Sequence, residues 1–232
     1  MPTPPTRISV TETADWITAG ASRSIASLSW QIGDVLVAVC IGEGATTSTL
    51  GVPTNTGSGL SWASYQNHAA TSDCAARISA CVASAASSGV ISVTNSSATD
   101  HWGFAVYIYR DSDGIGNSVE QDTTTQTVAL TPTAANGSIV WGVGDWSAEA
   151  AHTGTPTPTN TVEATADAGR YTAHVFDLTN QTSAGAVSYG VTGGGTTGPY
   201  TIVALEVKGI AATVPSEPEL RRSGLAIQQR MS

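Results

Sequence analysis

WGFAVYIYR, residues 102–110, carries apolar side chains on both parities: Trp102, Phe104, Val106 and Ile108 on one, Ala105, Tyr107 and Tyr109 on the other. Successive side chains of an extended chain point to opposite faces, so this stretch predicts a strand buried on both. VLVAVCI (35–41) is apolar on both parities in the same way, follows the turn Gln31 to Asp34, and reads as a central strand. Ser138–Trp146 within GSIVWGVGDW and Thr201–Val207 are equivalent runs further along. Around them, residues 60–68, 76–83, 90–94, 126–130, 171–178 and 186–191 read as further strands, separated by Gly, Ser, Asn and Pro clusters. No amphipathic helical stretch lies between strands, which argues against βαβ units. The expected fold is all-β: a single jelly-roll-like β-sandwich of about ten strands around one core. Val37, Val39, Phe104, Val106, Ile108, Val140, Val203 and Leu205 are the expected centre of that core.

The composition agrees. The 232 residues hold 33 Thr, 26 Ser and 24 Gly, and charged residues are only 12% of the chain, about half the usual share. Lys208 is the single lysine. Exposed helix faces normally use Lys, Glu and Gln, whereas Thr and Gly suit strands and turns. The net charge of −9 excludes nucleic acid as the expected partner, since phosphate recognition needs clustered Lys and Arg. The longest apolar stretch, Val35 to Ile41, is far short of the roughly 20 residues that span a bilayer, so no membrane insertion is expected. The first residues, MPTPPTRISV, lack signal-peptide features. Cys40, Cys74 and Cys81 are odd in number; Cys40 reads as a buried thiol, and Cys74 and Cys81 either stay reduced or pair if their strands bend back.

Three segments are expected. Residues 1–22 form an extended leader, because Pro2, Pro4 and Pro5 oppose regular structure and only Ile8, Val10 and Trp16 serve as anchors. Residues 23–209 form the sandwich. Residues 210–232 form an extended C-terminal arm in which Leu220, Leu225 and Ile227 alternate with Arg221, Arg222 and Arg230, a composition suited to docking on a neighbour rather than to a core. GDVLVAV and GSIVWGV both place a Gly turn before an apolar strand, which either marks a duplicated sandwich or is what any two core strands do.

Chemistry-bearing patterns are few. His68, His101, His152 and His174 sit in no metal-ligand spacing, and HExxH and CxxC are absent. Asp111, Asp113 and Asn117 resemble an oxygen-ligand loop but are out of register for one, and an Asx-type turn is the preferred reading. Glu43, Asp145, Glu149 and Asp177 include no pair that the sequence singles out as glycosidase carboxylates. No catalytic residue, metal or cofactor is therefore assigned, and the chain is not expected to be an enzyme. Six tryptophans against two phenylalanines act either as core filler or as a stacking surface for sugars, with Tyr107, Asp145 and Trp146 the candidate glycan platform.

The GDVLVAV strand after Trp30, the loop GVPTNTGSGLSWAS, the stretch WGFAVYIYRDSDGIGNS, the strand GSIVWGVGDW, the final TIVALEVKG and the tail RRSGLAIQQRMS together resemble minor tail and other minor virion structural proteins of actinobacterial tailed phages. The resemblance covers residues 24 to 232 and implies a jelly-roll-like sandwich in the particle, in the tail or decorating the capsid exterior. It implies partners among other virion proteins and copies of the same chain, with a host cell-envelope glycan as a further contact, and it brings no catalytic residue.

Overall fold

The computed structural model describes residues 3–44, 48–69, 73–146, 152–167, 171–193 and 198–212. Among them every regular element is a strand, and every strand pairing is antiparallel. Ten strands build two main sheets. The first sheet comes from β1 (Thr6–Glu12), β2 (Val35–Gly42), β3 (Ala63–His68), β4 (Ala75–Val82) and β5 (Trp102–Arg110). Its order is β1-β5-β2-β4-β3. The second comes from β6 (Ser112–Thr123), β7 (Gly137–Asp145), β8 (Asn160–Asp167), β9 (Tyr171–Gln181) and β10 (Tyr200–Gly209), in the order β6-β10-β7-β9-β8. Adding five to each strand number of the first order gives the second.

The smaller strands obey the same rule. Outside the first sheet, Ser22–Ser24 pairs with Ile91–Thr94, which pairs with Thr54–Asn55, and Leu28–Trp30 pairs with Ser87–Gly89. Outside the second, Thr127–Leu130 pairs with Val187–Thr192, which pairs with Thr153–Thr155. In both halves the first inserted segment meets the third, and the third meets the second. β2 and β7, the strands behind GDVLVAV and GSIVWGV, are the middle strands of their sheets. The two halves thus share one strand order.

The alternation read from sequence sorts the core into layers. Val35, Val37, Val39 and Ile41, with Tyr107 and Tyr109, meet Val140, Val175, Val203 and Leu205 between the two main sheets. The opposite parity, Leu36, Ala38, Cys40, Phe104, Val106 and Ile108, packs outward beneath Trp30, Ile91 and Val93. On the other side Ile139, Trp141, Val143 and Ile202 pack outward beneath Val128, Tyr189 and Val191. The molecule therefore has three apolar layers rather than the one core expected. All eight residues expected at its centre are buried.

Two expectations are corrected. Residues 1–22 are not merely a leader: β1 begins directly after Pro5 and pairs with β5, with one register shift between Arg7 and Ser9. The prolines lie ahead of the strand, where the missing N–H breaks no ladder bond. Trp16 is buried against Gly103, and its carbonyl accepts from the Tyr171 hydroxyl. The turn-rich stretch after Arg110 becomes the long edge strand β6, which absorbs its glycines in two register shifts between Ser112 and Ser118.

Candidate functional site

The residues proposed as a glycan platform do not share an exposed surface. Tyr107 and Asp145 are fully buried, and Trp146 is partly buried against the central layer. Tyr107 lies on the inner face of β5, stacked beside Tyr109. Four of the six tryptophans, Trp16, Trp30, Trp102 and Trp141, are core filler. The arm residues Leu220, Arg221, Arg222, Leu225, Ile227 and Arg230 lie outside the described residues. Asp111, Asp113 and Asn117 diverge: Asp111 takes φ +55° in the turn, Asp113 faces Lys208 at 3.7 Å, and the Asn117 amide donates to the Thr131 carbonyl. All three cysteines are free and buried, and burial pushes the Cys40 and Cys81 thiols up to about 12.

Titratable side chains converge instead where the edge strands β3 and β6 of the two main sheets meet. Alternation places Ser118, Glu120 and Asp122 on one face of β6. Their cross-strand partners Leu205 and Val203 belong to the central layer, so this is the inner face, turned towards β3. The Gln66 amide donates to the Ser118 hydroxyl at 2.8 Å. One residue pair further along, His68 Nδ1 meets Glu120 Oε1 at 3.1 Å and His68 Nε2 meets Asp73 Oδ2 at 3.0 Å. Ligand atoms of His68, Asp73 and Asp122 all lie within 4.8 Å of one another, so these three residues can hold a metal ion. Burial, then a hydrogen bond with Asp73 and the negative charges of Asp73 and Glu120, hold the Asp122 carboxyl above its ordinary range against the pull of His68.

A second polar group lies deeper in the same end of the molecule. His152 Nδ1 donates to the Gly193 carbonyl at 2.9 Å, and Nε2 lies 2.8 Å from Oδ2 of the fully buried Asp145. His174 meets the His152 ring edge-on at 5.1 Å. Cys74 links the two groups, since burial first and then Asp145, Asp73, Glu43 and Asp122 raise its thiol well above the ordinary value. Sequence reading missed both groups. The usable signal was Glu120 and Asp122 at strand spacing, but it required recognising β6 as a strand. Compared with protein-family models, curated proteins and solved structures, the chain matches none.

Proposed function

We propose that this chain is a structural subunit of a tailed-phage virion, a minor tail protein or a capsid decoration protein, that works by assembly with other virion proteins and with copies of itself. The observation that carries this reading is where the body begins and ends. Thr3 and Ile210 exchange backbone hydrogen bonds of 3.0 and 2.9 Å, so the segment after Ile210 starts beside the first strand. A pocket of 490 Å3 lined by Asp113, residues 133–136, Lys208, Gly209, Ala211 and Ala212 opens at that root. The C-terminal arm would leave a rigid stack of sheets at one defined place, which suits docking on a neighbour. The sparse surface charge suits it too, because unpaired charge is expensive to bury at an interface.

We further read each half as a jelly roll. An eight-stranded jelly roll orders its strands 1-8-3-6 in one sheet and 2-7-4-5 in the other. Numbered within a half, with each interrupted segment taken as one strand, the orders here are 1-8-3-6-5 and 2-7-4. Only the fifth strand differs, joining the sixth instead of the fourth. On this reading the subunit is two jelly rolls packed through their larger sheets.

The test is deletion of residues 215–232. The truncated protein is expected to melt within about 2 °C of the full chain, because the described core ends before the deletion, and to lose self-association or incorporation into particles. Copy number in purified particles and sedimentation of the isolated protein measure this. Normal incorporation and association of the truncated chain would overturn the role given to the arm.

A further inference from the structure

We propose that His68, Asp73 and Asp122 form a site for one divalent cation, Zn2+ by ligand chemistry, which ties the edge strand of one main sheet to the edge strand of the other. His68 ends β3, Asp73 precedes β4 and Asp122 lies near the end of β6, so the three ligands come from both halves. Their ligand atoms lie within 4.8 Å of one another. Zn–N and Zn–O bonds of about 2.0–2.2 Å place tetrahedral ligands roughly 3.4 Å apart, so a small contraction of side chains about a central ion closes the site.

The hydrogen bonds assign each group a role. An ion bound at His68 Nε2, on the Asp73 side, leaves Nδ1 to donate to Glu120 Oε1, 3.1 Å away. A carboxylate behind the far nitrogen fixes the tautomer and orientation of a metal-bound imidazole. Glu120 is thus a positioning residue, and the ligands are His68, Asp73 and Asp122. The cation also relieves the repulsion between the Asp122 and Asp73 carboxylates.

An independent feature lies at the floor of the cluster. Thr201 is fully buried, its hydroxyl has no hydrogen-bond partner among the described residues, and it stands directly opposite Asp122 in the ladder of β6 and β10. Cross-strand partners share a face about 5 Å apart, so this hydroxyl faces into the same space between the sheets. The same Thr201 is opposite Gly144, which touches Cys74, the residue next to Asp73. An unpartnered buried oxygen here is what a bound ion or its water satisfies. The imidazole nitrogen favours Zn2+ over Ca2+ or Mg2+, which prefer all-oxygen sites.

The experiment uses the full chain stripped with EDTA. On dialysis against micromolar ZnCl2, one Zn2+ per chain is expected by elemental analysis, with a melting temperature raised by about 5 °C or more, while CaCl2 at the same concentration gives neither. H68Q and D122N are expected to lose both effects, E120Q to weaken binding about 10- to 100-fold, and the control H101Q to behave as wild type. Absence of stoichiometric zinc, equal uptake by H68Q or D122N, or an equal response to CaCl2 would each overturn the proposal. Should these variants fail to fold, Co2+ added to the wild-type chain decides it. Intense visible bands of a four-coordinate ion with one nitrogen ligand, removed by Zn2+, support the site, and their absence refutes it.

Discussion

His174 sits on β9 with 1% of its surface exposed and neither ring nitrogen hydrogen-bonded among the described residues. Its ring lies parallel to Phe176, with centroids 5.8 Å apart. Burial, and then the neighbouring His152, lower its pKa from 6.5 to about 4, against a smaller opposing pull from Asp145. The unfolded chain therefore binds a proton between pH 6.5 and 4 that the folded chain refuses. The stabilising contribution is complete above pH 6.5 and is lost as pH falls towards 4, in total about 3 kcal/mol. Urea denaturation midpoints of wild type should fall over this window, and His174→Phe, which preserves the flat ring, should flatten that fall. An unchanged slope in the variant would show that His174 does not control it. The sequence contained this histidine in an alternating run, but not which face of the strand it took, because that depends on the sheet β9 joins.

At the scale of elements, the middle strand β7 decides how closely the sheets approach. Gly142 and Gly144 lie on its inner face, between Val140 and the end of the strand. A β-carbon at Gly142 would stand 2.5 Å from Val39 Cγ1, and one at Gly144 would stand 2.4 Å from Cys74 Cβ. The facing side chains occupy that space, so Gly142→Ala must push Val39 or the strand aside. A loss of about 1–3 kcal/mol is expected, read as a lower denaturant midpoint with unchanged slope. Central strands such as β2, β5 and β7 were legible from sequence because burial on both faces leaves a nearly continuous apolar run. The edge strands β1 and β6 were not: they are half exposed, carry mixed side chains and absorb their irregularities in bulges.

For the whole molecule, the two halves share strand order but not independence. Val140, Val175, Val203 and Leu205 of the second half are covered by residues of the first, so separating the halves would expose the central layer. Unfolding is expected to be one cooperative transition, with calorimetric and van 't Hoff enthalpies equal. Two resolved transitions would show that each half is a folding unit by itself. The ion pairs crossing the same boundary point the same way: Arg7 of β1 meets the fully buried Asp177 of β9, which also accepts from the Tyr109 hydroxyl. Removing Arg7 would leave the buried Asp177 carboxylate without its cation.

The sequence by itself determined that the chain is all-β, which strands are central, and how the side chains of WGFAVYIYR divide between the two faces of its strand. Those properties are local, because the pleat alternates side chains whatever the strand later pairs with. Only the tertiary structure decided that Thr6–Glu12 and Ser112–Thr123 are edge strands, that two halves repeat one strand order, and that Tyr107 and Asp145 are interior. It alone brought His68, Asp73 and Asp122 together. Neighbours across sheets are chosen by which faces bury each other best, a sum over the whole chain that no window of sequence contains.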